Sequence, residues 1–153
     1  MSVSRFEQLK AYLDSQVLGQ PDFTKAILIA LLADGHMLVE GPPGLAKTRA
    51  INALANGLEG NFHRIQFTPD LMPSDVLGTS ILNVNSSEFE FKPGPIFSNI
   101  VLIDEINRAP AKTQAALFEV MEERQVTIDG KEHKMQPPFM VLATQNPVEQ
   151  EGT

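Results

Sequence analysis

The sequence contains no cysteine, so the chain can form neither a disulfide framework nor a thiolate zinc site. Basic residues are also scarce, because 12 Lys and Arg stand against 19 Asp and Glu, a formal net charge of −7. Nucleic-acid binding is driven by Lys and Arg that neutralise phosphates. The charge balance therefore argues against nucleic acid as a partner and favours a protein.

Long apolar runs are absent as well. The densest run, residues 26–33, is far shorter than the roughly 18 to 20 residues that span a bilayer. Charged residues appear at Arg5 and Glu7, too early for a signal peptide. We therefore expect a soluble, cytoplasmic protein with no membrane span. With 153 residues, of which 42% are hydrophobic, the chain is expected to fold as one unit.

Helical and strand patterns alternate along the chain. The predicted helices are 4–16, begun by a capping box of Ser4 and Glu7, then 21–33, 47–58 and one opened by Pro110. The predicted strands are 36–39, 62–67, 100–103 and 139–143, with mostly loop at 68–78. Hairpins are expected at 81–91, with the tip at 85–87, and at 126–135 around Asp129 and Gly130. This alternation indicates an α/β fold with a parallel sheet core.

Two packing expectations accompany these elements. Helix 21–33 is apolar on nearly every face and should be buried. Leu117, Phe118 and Met121 share a face of the later helix and should lie in the core. His36, His63 and His133 show no ligand spacing, so a metal site made of histidines is not expected.

A glycine-rich loop joins the first strand to a helix. It consists of Gly41, Pro42, Pro43, Gly44, Leu45, Ala46, Lys47 and Thr48, followed by Arg49. Glycines allow the backbone to approach a phosphate, and the free N–H groups of the helix N-terminus favour an anion. Lys47 would contact the β- and γ-phosphates, and the Thr48 hydroxyl can ligate magnesium. Ala46 replaces the second glycine of the generic pattern, which is tolerable where φ is negative.

Polar residues end two further strands. Asp104 and Glu105 directly follow the apolar run 100–103, where Asp104 can hold a magnesium water and Glu105 can align the attacking water. Asn146 follows the last predicted strand and can hydrogen-bond the γ-phosphate or that water. The alternative for Asp104 and Glu105 is that this acidic pair forms a solvated corner of the fold. The alternative for Asn146 is that it forms a turn before Pro147.

Five stretches resemble the MoxR family of AAA+ ATPases, and the resemblance extends over essentially the whole chain. The stretches are residues 41–48, 64–78, 94–97, 104–110 and 143–147. The resemblance implies a P-loop NTPase fold, a three-layer sandwich with a parallel sheet core, that binds ATP and Mg²⁺.

The same resemblance implies a role for each site residue. Lys47 and Thr48 belong to Walker A, Asp104 and Glu105 belong to Walker B, and Asn146 matches sensor 1. Val17, Leu18 and Gly19 match the segment that lies against adenine in related proteins. The hairpin near 81–91 looks like the helix-2 insert, and Gln66 would restrain Glu105 until a partner binds.

The resemblance also implies partners. Family members are chaperone-like machines that mature other protein complexes, often with a von Willebrand A domain protein, and typically work as hexamers. The family continues past Thr153 with a fifth core strand, an arginine finger and a helical lid. Residues 1–153 are therefore expected to be an incomplete AAA+ core, truncated before that strand and lid. Such a fragment would expose strand 36–40 as an apolar edge, self-associate and be nearly inactive.

Other functions remain open at this point. A nucleotide-sensing module with negligible turnover would share the same loop and acidic pair. A magnesium-chelatase-like subunit is a close alternative, and the sequence argues against it only because it matches the MoxR family better. An activator of alternative-sigma-factor transcription would need a Gly-Ala-Phe-Thr-Gly-Ala loop, which the sequence lacks.

Overall fold

The computed structural model describes residues 2–16, 19, 21–40 and 45–145. The helices are α1 Val3–Gln16, α2 Pro21–Leu32, α3 Leu45–Gly57, α4 Pro73–Leu77 and α5 Ala111–Glu123, and a 3₁₀ turn lies at Ile106–Arg108. The strands are β1 Met37–Glu40, β2 Phe62–Gln66, β3 Gly78–Asn83, β4 Glu88–Pro93, β5 Ile100–Asp104, β6 Gln125–Ile128, β7 Lys131–Lys134 and β8 Met140–Gln145. Every predicted element is present, with ends that differ by a few residues.

Four strands form a parallel sheet in the order β1-β8-β5-β2. β5 is buried at all five positions, which explains its uninterrupted run of branched aliphatic residues. β1 lies at an edge of this sheet, and among its residues Leu38 remains 58% exposed. Within the described residues the fold is therefore α/β with a parallel sheet core, as the sequence predicts.

The central strands face two separate apolar cores, because their side chains alternate between the faces of the sheet. Ile100 and Leu102 of β5 pack with residues of α1, α2 and α3. Val101 and Ile103 pack with residues of α5 and of hairpin β6–β7. The sheet thus forms the middle of three layers.

Two hairpins lie outside the main sheet. β3 pairs with β4 and β6 pairs with β7, both antiparallel. Asp129 and Gly130 join β6 to β7 with φ values of 53° and 76°, as expected of a two-residue hairpin turn. Ser80 donates a hydrogen bond of 2.7 Å to Asp129, which links the two hairpins.

Two sequence predictions about local packing are wrong. α1 begins at Val3, and Ser2 caps it by accepting a hydrogen bond from the Arg5 N–H, so Ser4 is not the capping residue. On α5, Phe118 is 50% exposed, and the buried residues are Thr113, Leu117 and Val120. Their spacing of four and three residues defines the stripe that faces the core, and Phe118 lies beside it.

The prediction for α2 holds only on one side of the helix. Ile27 and Leu28 are buried, but Ile29 and Leu32 are more than half exposed. A helix in an outer layer buries one stripe, so even a uniformly apolar helix leaves its outer side accessible. No helix in the described ranges has both the length and the apolar character that crossing a bilayer requires.

Candidate nucleotide site at the carboxyl ends of the strands

The carboxyl ends of the parallel strands meet at one edge of the sheet. In the strand register, Glu40 at the end of β1 is beside Gln145 of β8, and Gln66 at the end of β2 is beside Asp104 of β5. One strand, β8, separates β1 from β5, so Asp104 lies about 10 Å from the end of β1. α3 begins five residues after β1 ends. This edge is where ligands bind in open α/β sheets.

Asp104 lies on the α3 side of the sheet. The two residues before it with the same orientation, Ile100 and Leu102, pack against the apolar residues of α3. Its side chain is only 4% exposed. On the first turn of α3, Thr48 is partly buried. A carboxylate and a hydroxyl are the hard oxygen donors that Mg²⁺ prefers, so the residue types fit a magnesium site.

Glu105 leaves the strand immediately after Asp104. Its backbone adopts the left-handed conformation, with φ 55° and ψ 57°, which is costly for a residue with a β-carbon. The Glu105 N–H donates to Oγ1 of Thr144 on β8 over 3.0 Å, and this bond helps to hold the conformation. The carboxylate therefore does not continue the alternation of β5.

The carboxylate of Glu105 contacts an arginine that the sequence analysis does not single out. Arg108 donates from Nη1 to Oε2 of Glu105 over 3.3 Å. The sequence prediction assigns the restraint of Glu105 to Gln66, and this is not what the structure shows, since Gln66 is exposed and makes no hydrogen bond to Glu105 among the described contacts. Because Glu105 turns left-handed after β5, its side chain lies toward the 3₁₀ turn that carries Arg108.

A second arginine contacts Asp104. Arg64 of β2 donates from Nε to Oδ2 of Asp104 over 2.5 Å. The pairing follows from strand register, because Arg64 lies on the same face as Gln66, the register partner of Asp104. The only hint in the sequence is the position of Arg64 two residues before the end of its strand.

The structure brings together only part of the predicted site. Asp104, Glu105 and Thr48 lie at the same edge, and Arg49 is exposed one residue further along α3. Gly19 is exposed with φ 83°. The predicted site residues outside the described ranges are Val17, Leu18, Gly41, Pro42, Pro43, Gly44 and Asn146. For Leu45, Ala46 and Lys47 the backbone forms the start of α3, and their side chains lie outside the described part.

Sequence comparison identifies relatives of the chain that carries this site. Residues 36–153 match the model of the ATPase family associated with various cellular activities (AAA). The chain is 54% identical over 142 residues to the uncharacterised protein YeaC of Bacillus subtilis, covering 93% of this chain and 44% of YeaC. It is 52% identical over 136 residues to the chaperone MoxR1 of Mycobacterium tuberculosis, covering 89% of this chain and 36% of MoxR1.

A solved structure agrees with both comparisons. A protein from Cytophaga hutchinsonii, itself proposed to be an ATPase, superposes with a TM-score of 0.86 and 51% identity, over 98% of this chain and 46% of that one. The chain spans less than half the length of each of these relatives. The matching family model, the MoxR relatives and the shared fold lead to one conclusion: the chain belongs to the MoxR branch of the AAA family of ATPases.

Proposed function

We propose that this protein binds and hydrolyses MgATP and uses the hydrolysis to remodel or mature a partner protein complex. The observation that carries the proposal is the arrangement of Asp104 and Glu105. Asp104 is buried at the carboxyl end of β5 on the α3 side, and Glu105 turns away from the strand into a left-handed conformation. Two adjacent carboxylates thereby take two different directions, as a metal ligand and a water-orienting group require.

The phosphates of ATP are assigned to the start of α3. The cradle is assigned to the backbone N–H groups of the glycine-rich loop, which Pro42 and Pro43 do not supply, and of the start of α3, aided by the positive end of the helix dipole. Lys47 supplies a cation for the β- and γ-phosphates, and Arg49 adds a second positive charge nearby. Since the net charge of the chain is −7, these cations provide local attraction for an anionic ligand that the whole protein does not.

The Thr48 hydroxyl and the Asp104 carboxylate are assigned to magnesium. Mg²⁺ retains several waters and usually takes one or two protein oxygens plus phosphate oxygens, so this small donor set suffices. A magnesium ion held by these residues would neutralise charge on the phosphates. The burial of Asp104 fixes the direction of its carboxylate.

Glu105 is assigned to the attacking water, and Asn146 to the γ-phosphate or that water. The hydrogen bond from the Glu105 N–H to Thr144 Oγ1 supports this role, because it fixes the backbone from which the carboxylate projects. Val17, Leu18 and Gly19 are assigned to the adenine. The positive φ of Gly19, 83°, is a conformation that glycine adopts without strain.

The partners are inferred from the family. The M. tuberculosis relative carries the name chaperone, which supports a client protein or protein complex, with a von Willebrand A domain protein as a candidate. A homo-hexamer is the assembly that we propose for the full-length protein.

A nucleotide sensor with negligible turnover is the second candidate. The contact between Arg108 and Glu105 favours it, because a carboxylate oxygen engaged by a guanidinium is less available to a water. ATP binding would be the same in both cases, so only the rate of hydrolysis distinguishes them.

The proposed nucleotide site is tested with Lys47→Ala. Loss of a charge-assisted hydrogen bond should weaken ATP binding by about 1.5 to 3 kcal/mol, or roughly tenfold to 150-fold. Calorimetric titration measures the change in ATP affinity. The control is Lys112→Ala, which removes a cation from an exposed position on α5, away from the site. Equal ATP affinities of the two variants would overturn the assignment.

A further inference from the structure

Arg64 and Asp104 form an ion pair whose two side chains differ strongly in exposure to solvent. The Asp104 side chain is 4% exposed, whereas the Arg64 side chain is 52% exposed. The two are joined by a single hydrogen bond, from Nε to Oδ2 over 2.5 Å, and not by the two-point fork that arginine often makes with a carboxylate.

Because of this difference in exposure, the Arg64 side chain can change its position more easily than the Asp104 side chain. An ionised carboxylate buried at the end of β5 needs a nearby cation or donor, since an unpaired buried charge is strongly unfavourable. Arg64 supplies such a cation. Its long side chain is half in solvent, so the guanidinium can regain hydration if another cation takes its place beside Asp104.

We propose that Arg64 and Mg²⁺ compete for the Asp104 carboxylate. The inference rests on the proposed function, because it requires magnesium at Asp104. Two cations beside one carboxylate repel each other, so the guanidinium moves away when the metal is loaded. Arg64 is thus a positioning residue that balances the charge of Asp104, and it raises the Mg²⁺ concentration at which magnesium binds there.

The competition is measured as the dependence of ADP affinity on free Mg²⁺, by calorimetry on the purified protein. Arg64→Gln removes the competing charge, and the free Mg²⁺ concentration that gives half of the effect on ADP affinity should fall by about twofold to fivefold. Arg64→Lys keeps the charge and should stay closer to the wild type than Arg64→Gln does. Arg5→Gln removes an exposed cation from α1 and should leave the Mg²⁺ dependence unchanged.

A second measurement uses only the wild-type protein and therefore does not depend on a variant that folds. The Arg64 Nε–H signal in nuclear magnetic resonance should be protected from exchange with water when ADP alone is present. Addition of Mg²⁺ with ADP should make it exchange quickly. A protected signal under both conditions would overturn the inference.

The outcomes separate the inference from the function on which it rests. If the wild-type ADP affinity does not depend on Mg²⁺, the proposed magnesium site is wrong and the inference is overturned with it. If the wild type depends on Mg²⁺ but Arg64→Gln has an unchanged or higher half-effect concentration, the inference alone is overturned. A lower half-effect concentration in Arg64→Gln, with Arg5→Gln unchanged, supports both.

Discussion

Arg108 donates a hydrogen bond from Nη1 to Oε2 of Glu105 over 3.3 Å, from three residues further along the chain. The contact spans the 3₁₀ turn Ile106–Arg108, and the Arg108 N–H also bonds to the carbonyl oxygen of Glu105. The carboxylate that we assign to the attacking water is therefore held beside a cation. For Glu105 to orient that water, its contact with Arg108 has to open before hydrolysis.

Thr144 positions Glu105 through its hydroxyl, which accepts the Glu105 N–H over 3.0 Å. Thr144→Val keeps the shape but leaves this donor without its acceptor, which should cost about 1 to 3 kcal/mol of unfolding free energy. Hydrolysis should also fall by about tenfold or more, because Glu105 loses the bond that fixes its left-handed backbone. Urea unfolding and phosphate release measure the two effects.

Thr144→Ser is the matched control for this prediction. It keeps the hydroxyl and loses only a buried methyl group, at a cost of about 1 kcal/mol. Its rate of hydrolysis should remain near that of the wild type. Equal rates in the Val and Ser variants would show that the Thr144 hydroxyl has no role in positioning Glu105.

The arginine contacts at the site could not be predicted from the sequence. Asp104 and Glu105 are recognisable because they directly follow an apolar strand. Arg64 is 40 residues from Asp104, and its contact depends on the register of β2 with β5. Arg108 is close in sequence, but it reaches the Glu105 carboxylate only because the backbone of Glu105 is left-handed, which no local pattern indicates.

His36 makes the stability of the fold depend on pH. Its Nδ1 accepts the Val141 N–H over 2.9 Å, so Nε2 carries the hydrogen and donates to the Met121 carbonyl over 2.9 Å. Burial lowers the pKa of His36 below its ordinary value of 6.5, and the nearby Arg124 lowers it further, while Asp34 and the Met121 bond oppose the shift.

The direction of the pH effect follows from that pKa. As pH falls below about 6.5, the unfolded chain takes up a proton on His36 before the folded protein does. The contribution to stability is therefore complete above pH 6.5 and is lost as pH decreases toward the lower folded pKa. Urea unfolding between pH 5.5 and about 7.5 should show this loss in the wild type.

Two variants identify the histidine responsible. His36→Gln should be less stable overall and should lose most of the pH dependence in this interval. His63→Gln replaces an exposed residue of β2 and should keep the wild-type dependence. A wild-type dependence that survives in His36→Gln would contradict the assignment.

Gly78 requires both its backbone conformation and its lack of a side chain. Its φ is 104°, and a β-carbon there would lie 2.3 Å from the Lys92 carbonyl oxygen and 2.6 Å from the Gly94 nitrogen. Gly78→Ala should therefore cost at least about 2 kcal/mol of unfolding free energy. Chemical denaturation measures the loss.

Gly130→Ala separates the cost of backbone strain from the cost of the steric clash. Gly130 also has a positive φ, 76°, but no atom lies within 4 Å of the position of an added β-carbon. This variant should cost only about 1 to 2 kcal/mol, from backbone strain alone. If both variants cost the same, the close approach at the base of β3 contributes nothing.

The fold was more accessible from the sequence than the packing of individual side chains. Asp129 and Gly130 specify their turn through local conformational preference, and the structure confirms this turn. The prediction that Phe118 lies in the core is wrong, because helical periodicity alone cannot decide which of two neighbouring stripes of α5 faces the sheet. The position of α5 against the sheet selects Leu117 and Val120, and that position depends on the whole core.

The central claim is that Glu105 acts in the chemical step and not in nucleotide binding. The most direct measurement compares Glu105→Gln with the wild type in the full-length protein, by ATP titration and by phosphate release at saturating MgATP. Glu119→Gln, an exposed residue of α5, is the control for loss of one carboxylate. We predict ATP affinity within a few-fold of the wild type and a rate of hydrolysis that falls by about a hundredfold or more. Hydrolysis by Glu105→Gln at the wild-type rate would contradict the account.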